Sequence, residues 1–343
     1  MKKILPDDAS YKTFQDILTG YRLSNTLRVA HESGVFDRIG GQRLPADVIC
    51  NRTGWNEDMG ERFLLTLCEL GFLEENNGCF SLSQLSRKFL LKTSDNYQGN
   101  SIEFERRLID SWGLLGPTLV KGERLYSTGD KTKEDYTKAL SLYLGAMHDA
   151  AKIRACEVWD TIKPAEEGIV LDAGAGSGAF LCEFLKRHNS WKGIFCDLKD
   201  VISITSEKTE MKALSGRLTY IENNLLEKAT LENDTKASIL LLSNLIHCQS
   251  KEETASIFSN IIGQVAEDGV ILIHDFFSDC GWRGALYDIH MMLNTYNGRT
   301  YSIEEISTML SDFGFFHAKT IQLKSGSTIL AVSRKHISSE LIY

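Results

Sequence analysis

Along this chain the apolar positions keep one period up to about residue 162 and another after residue 168. In the first stretch they return at helical spacing. Residues 11–39 carry Phe14, Ile17, Leu18, Tyr21, Leu27 and Val29, and Gly34 breaks the pattern before Val35, Phe36 and Asp37. Residues 45–50 predict a short helix. Asn56 is placed to cap the next one, whose apolar face is Met59, Phe63, Leu64 and Leu67. Residues 71–82 alternate around Asn77-Gly78 and predict a hairpin. Three helices and a hairpin read as a winged helix over residues 1–95, helical apart from its wing. Residues 83–162 are again helical, with Trp112, Leu115, Tyr136, Leu140, Tyr143 and Met147 as large side chains, until Pro164 and Glu166-Glu167-Gly168 end the run.

Beyond that join, short apolar runs take over. Ile169, Val170 and Leu171 suit a strand buried on both faces, and Gly174, Gly176 and Gly178 suit a tight turn before a helix. Further strands are predicted over 191–197, 218–221, 237–243 and 269–275, with a helix over 251–265. The alternation implies a mostly parallel sheet covered on both faces. Two β-prone runs, 315–322 and 327–332, predict an antiparallel hairpin at one sheet edge. The fold class expected for residues 165–343 is therefore α/β and Rossmann-like, with a seven-stranded, mostly parallel sheet.

Three glycines after a strand also fit a dinucleotide fingerprint or a plain turn. Here the spacing is Gly-x-Gly-x-Gly, and Asp172 lies two residues before the first glycine. About twenty residues past the loop a second strand ends in Asp197, where such folds place a carboxylate on ribose hydroxyls. These features favour a nucleoside-type cofactor. S-adenosylmethionine, which has no phosphates, needs no anion cradle. Ligands of such sheets bind outside the carboxyl ends of the strands. Asn224, His247 and Asp275 fall at those ends and are expected to converge on one cleft.

Composition narrows the partners. Over 343 residues, Lys+Arg 38 against Asp+Glu 46 gives a net charge of −8, which argues against nucleic acid or an anionic membrane. The helix that would enter a DNA groove carries Glu57, Asp58, Glu61 and Glu69 against Arg62, so a duplex would repel it. A structural or dimerising role suits this domain better, with a ligand-sensing, DNA-binding regulator as the alternative. The eight cysteines are scattered, with no zinc-type spacing, so no metal is expected. Lys2 and Lys3 are followed by Asp7 and Asp8 with no apolar leader, and no apolar run spans a bilayer. The default is a cytoplasmic protein.

Residues 20–37, from Gly20-Tyr21-Arg22 to Phe36-Asp37, and Leu70-Gly71-Phe72-Leu73 resemble a known dimerisation domain. It is the N-terminal domain of S-adenosylmethionine-dependent small-molecule O-methyltransferases of the caffeic acid and hydroxyindole type. Residues 169–180 and 197–202, His247, and Asn297-Gly298-Arg299 through Glu304 to Gly314-Phe315 are similar to that family's catalytic domain. The resemblance implies a homodimer that methylates a hydroxyl on a small aromatic molecule and releases S-adenosyl-L-homocysteine. It implies that His247 is the general base and that Asp275 orients it. Asp172, Gly174, Ala175, Gly176, Asp197, Leu198, Asn224, Leu225 and Ser243 would contact the cofactor. Met147 and Met291 would hold the acceptor ring, with Trp112, Tyr143 and His290 facing the same pocket and residues 96–164 acting as a helical linker that contributes to it. Plain core methionines are the alternative. Four positions depart from the family pattern: Thr300 replaces a second supporting Glu, Cys248 follows the histidine, Asn224 replaces an acid, and Ser243 replaces a lysine. Methylation of nitrogen or carbon, or another use of the cofactor, therefore stays open. His274 either donates to substrate or closes its strand, and His31, His188, His317 and His336 are expected to be ordinary surface or core residues.

Overall fold

The computed structural model describes residues 11–124, 133–227 and 236–337; Lys2, Lys3, Asp7 and Asp8 lie outside them. The chain divides into two compact units, residues 5–107 and 108–343, with the boundary inside the helix Gly99–Gly113.

In the first unit, the Asn56 side chain accepts from the Met59 amide at 3.1 Å and starts the helix Glu57–Glu69, as a cap should. Leu64 and Leu67 are buried, whereas Met59 is 60% exposed, so the apolar face is narrower than the sequence predicts. Pro45 is also not helical. It ends the short strand β1 (Leu44–Pro45) and precedes the helix Ala46–Thr53, where its missing N–H leaves no unmet donor. Strands β2 (Leu73–Asn76) and β3 (Cys79–Leu82) form the hairpin, and β1 pairs with β3 to give the order β1-β3-β2. Asn77 and Gly78 both have positive φ, 53° and 76°, the requirement of a type I′ turn. Val35, Phe36, Ile39, Ile49, Leu64, Leu67, Phe80 and Leu82 form the core. The helices Tyr11–Leu18 and Tyr21–Glu32 leave Tyr11, Phe14, Ile17, Leu18, Tyr21 and Leu23 exposed.

The second unit is built on seven strands in the order β6-β5-β4-β7-β8-β10-β9. They are β4 (Ile169–Ala173), β5 (Lys192–Asp197), β6 (Leu218–Glu222), β7 (Ala237–Ser243), β8 (Val265–Asp275), β9 (His317–Gln322) and β10 (Thr328–Ser333). The first five in the sheet are parallel, and β10 runs antiparallel to β8 and β9, as the terminal hairpin predicts. Successive residues alternate between two cores. Val170, Leu241 and Leu272 join one, and Leu171, Leu240 and Ile271 the other, which is why these strands read as continuous apolar runs. Each such Leu or Ile contributes about 1.5–3 kcal/mol by burial. Strand β8 starts four residues before its predicted onset, because the helix Lys251–Ile261 gives way to a 3-10 turn over Ile262–Gln264. Chain order reverses at β4, whose neighbours are β5 and β7, and such a switch point is where α/β sheets bind ligands. Among the described residues no helix is long and apolar enough to cross a membrane.

Candidate active site

The loop after β4 is shaped by three left-handed glycines, Gly174, Gly176 and Gly178, with φ of 73°, 54° and 74°. A Cβ on Gly174 would lie 2.9 Å from Leu245 Cδ1, and one on Gly178 2.9 Å from Met211 Sδ. At Gly176 the nearest atom would be 3.9 Å away, so this residue borders open space. The Gly174 and Ala175 amides donate to the Cys196 carbonyl at 2.9 and 3.3 Å. Asp197, at the end of β5, fastens the loop: Oδ2 accepts from the Gly176 amide and Oδ1 from the Leu198 amide, both at 2.7 Å. Burial pushes its carboxyl above the usual range, and those two donors oppose the shift.

Asp172 has no such help. It is buried, and neither carboxylate oxygen has a hydrogen-bond partner among the described residues. Burial, reinforced by the Asp197 charge, pushes its pKa up to about 8. An unpaired buried carboxylate calls for a donor or a cation. The site therefore fits a cofactor that brings an ammonium, hydroxyls and no phosphate. Leu198, 48% exposed beside Asp197, offers apolar surface to a flat ring.

The other predicted cofactor residues have partners within the protein. Asn224 Nδ2 donates to Glu227 Oε1 at 3.0 Å and its Oδ1 accepts from the Leu226 amide, folding the side chain into its own turn. Leu225 is buried in the core, with its carbonyl bonded to Asn260. Ser243 Oγ lies 2.9 Å from His274 Nδ1. Asn224 lies at the same edge of the sheet as His247 and Asp275 but makes no hydrogen bond with either among the described residues. Strand β6 lies three places from β7, roughly 14 Å at ordinary strand spacing.

His247 and Asp275 do meet. After β7, Asn244 turns the chain through positive φ (51°), and the 3-10 turn Ile246–Cys248 carries His247 to the end of β8. His247 Nδ1 lies 2.6 Å from Asp275 Oδ1, which also accepts from the Phe276 amide at 2.7 Å. Burial pulls the imidazole pKa down, but Asp275, with Tyr287 and Cys248, overrides it and holds the pKa well above 6.5. With Nδ1 held by the carboxylate, Nε2 is the nitrogen available for chemistry. It lies 3.4 Å from the Tyr287 hydroxyl, and the two rings meet edge to face at 4.9 Å. Burial raises the Tyr287 pKa, and the charge on His247 opposes that.

The helix Trp282–Asn294 brings more rings to this point. Tyr287 lies 4.5 Å from Phe276 and 5.5 Å from His290, which stacks on Trp112 at 6.2 Å. Asn294 accepts from Ser111 at 2.7 Å and lies 3.3 Å from His290 Nδ1. Trp112 and His290 thus join the base through Tyr287. Met291 is buried on the same helix, Met147 is half-buried on the helix Lys133–Asp160, and Tyr143 is at the surface. The Thr300 hydroxyl and amide both donate to Asp288 Oδ1, at 3.1 and 2.7 Å. This position therefore anchors the chain to the helix.

His274 closes its strand, the second of its two readings. It is fully buried between Ser243 and Ser327, with Nε2 2.8 Å from Ser327 Oγ. Burial, then the charges of Arg154 and His247, depress its pKa to about 3, so it is a neutral tie between β7, β8 and the residue that leads into β10. Sequence reasoning missed Tyr287, Phe276, Asp288 and Arg154. Tyr287, His290, Met291 and Asn294 repeat at helical spacing, which was a usable signal. Nothing local marked Arg154.

A family model described as an O-methyltransferase domain matches residues 121–316, and one described as an O-methyltransferase dimerisation domain matches residues 15–92. The 3-hydroxy-5-methyl-1-naphthoate 3-O-methyltransferase of Streptomyces sahachiroi is 22% identical over 90% of this chain and 91% of its own. The 3-amino-4-hydroxybenzoate 4-O-methyltransferase of Streptomyces cremeus is 23% identical over 90% and 86%. The solved structure of human N-acetylserotonin methyltransferase in complex with SAM superposes with a TM-score of 0.81, covering 96% of this chain and 100% of that one. At 18% identity, that likeness speaks for the fold alone.

Proposed function

Because this chain belongs to the S-adenosylmethionine-dependent O-methyltransferase family, we propose that it methylates a hydroxyl on a small aromatic acceptor with His247 as general base. The observation that carries this reading is the 2.6 Å contact between His247 Nδ1 and Asp275 at the carboxyl edge of the sheet. A phenol with pKa about 10 is scarcely ionised near neutrality. An imidazole whose pKa is raised toward that value accepts the phenolic proton with less of an uphill step. Nε2 takes the proton, and Asp275 stabilises the imidazolium that forms. Tyr287, at 3.4 Å from Nε2, stands where the acceptor hydroxyl must enter. The rings of Phe276, Tyr287, His290 and Trp112, with Met291 and Met147, supply flat and polarizable surface for an aromatic guest. Two relatives named for a hydroxynaphthoate and a hydroxybenzoate support that class.

S-adenosylmethionine supplies, when bound, an electrophilic methyl group on a sulfonium. Asp197 retains acceptor capacity for ribose hydroxyls, Asp172 takes a cationic or N–H donor, and Gly176 leaves room for both. Ala175 and Leu198 border the same opening. We assign residues 1–95 to winged-helix dimerisation, 96–164 to a helical linker that contributes to the acceptor pocket, and 165–343 to cofactor binding. The matched dimerisation domain, and the exposed apolar side chains of the first two helices, support a homodimer, and the cytoplasm is the location we assign to it. That match also falls on the region where the DNA-regulator alternative rested. Calorimetry with S-adenosylhomocysteine and a screen of hydroxyarenes for labelled-methyl transfer test the reading. Folded protein that binds no cofactor product would refute it.

A further inference from the structure

Arg154 lies on the helix Lys133–Asp160, seven residues after Met147 and therefore on the same face. Its guanidinium carbon is 5.0 Å from the centroid of the Phe276 ring, which lies 4.5 Å from Tyr287, the neighbour of His247. The cation thus stands at the aromatic wall beside the base. Arg154 is only half-buried, yet among the described residues it makes no hydrogen bond or ion pair. Of the nearby acids, Glu157 accepts from the Ser325 amide at 3.0 Å and Asp275 Oδ1 holds His247 and the Phe276 amide, while Asp275 Oδ2 is buried without a hydrogen-bond partner among the described residues and makes no ion pair with Arg154. Burial lowers its pKa, and Tyr287, Glu157 and Asp275 oppose the shift without touching the fork. A guanidinium presents five donors in one plane and matches a carboxylate in a two-bond fork. Here that fork lacks an acceptor.

We propose that Arg154 seats a carboxylate carried by the aromatic acceptor, so that the substrate class is hydroxylated aromatic acids. The inference rests on the acceptor reading given above. A ring on the Phe276 and Tyr287 wall would place its carboxylate at Arg154 and its hydroxyl toward His247 Nε2. The other carboxylate in reach is the amino-acid end of the cofactor. The residues that fit the cofactor gather at β4 and β5, whereas Phe276 follows β8, two places beyond β4 in the sheet.

The test uses the full chain saturated with S-adenosylhomocysteine, so that no turnover is required. It is titrated with 2-, 3- and 4-hydroxybenzoate and with the three matching hydroxybenzamides, which keep the shape and lose the charge. We expect at least one acid to bind about tenfold to a hundredfold more tightly than its amide, the range of a charge-assisted hydrogen-bonded contact. Arg154→Met should erase that preference and leave S-adenosylhomocysteine affinity within twofold, and Arg154→Lys should restore part of it. An equal preference in Arg154→Met overturns the proposal, as does no preference in the unmutated protein. Loss of S-adenosylhomocysteine affinity with the acid preference intact also overturns it, by assigning Arg154 to the cofactor. If Arg154→Met fails to fold, the acid-against-amide comparison in the unmutated protein decides, with salt weakening only the acids. Methyl transfer is measured separately, so an enzyme that binds acids but methylates none of them refutes the functional reading alone.

Discussion

Two parts of the sheet's carboxyl edge carry opposite unmet charge. At β4 and β5 the acid Asp172 is buried with neither oxygen paired, while Asp197 is held by two amides. Beyond β8 the cation Arg154 has a ring beneath it and no hydrogen-bond acceptor among the described residues. A cationic cofactor suits the first region, and an anionic acceptor suits the second. The two also differ in construction. The β4–β5 side is shaped by backbone, through three left-handed glycines, with two carboxylates set against it. The acceptor side is made by side chains from separate helices, and there Thr300 has turned to Asp288. There His247 has Asp275 as its one acidic partner among the described residues.

The contrast can be broken most sharply at the base. His247→Ala should lower kcat about 10²–10⁴-fold while S-adenosylhomocysteine affinity, measured by calorimetry, stays within twofold. Equal loss of both would mean that the two regions are one site. Next comes Asp172→Asn, which should weaken S-adenosylhomocysteine binding about 10- to 100-fold and leave the acceptor preference intact. The folded pKa of Asp172, about 8, exceeds its unfolded value, so the unliganded fold loses stability as pH rises from about 4 to 8. Cofactor affinity should rise over the upper end of the same window, and Asp172→Asn should flatten both trends. Affinity independent of pH would remove Asp172 from the cofactor's cationic end.

A pH profile sharpens the acceptor side. His247 must be unprotonated to act as base, so the acid limb of kcat/KM should lie above pH 6.5. The stability contributed by the His247–Asp275 pair is full below the unfolded pKa near 6.5 and is lost as pH rises through the folded pKa. Asp275→Asn should therefore move the limb to lower pH as well as slow the reaction. An unmoved limb would assign the titration to another group. The smallest effect is expected from Tyr287→Phe, a kcat change under about tenfold with a slight shift of the limb downward, because Tyr287 helps to hold the His247 pKa up. An upward shift would contradict that arrangement.

What the sequence determined alone is whatever follows from chain-local rules. Short continuous apolar runs set the strands, left-handed backbone needs set the glycines of the loop, and the ends of successive parallel strands placed Asp197, His247 and Asp275 on one edge. That logic places Asn224 on the same edge without making it a neighbour of His247, since three strand places separate β6 from β7. Only the tertiary structure decided the rest. Whether Tyr287 meets His247, Asp288 meets Thr300 and Arg154 meets Phe276 depends on how the helices Trp282–Asn294 and Lys133–Asp160 are rotated about their axes. That rotation is set by packing against the sheet, and the meeting of Arg154 with Phe276, more than a hundred positions apart, has no local signature.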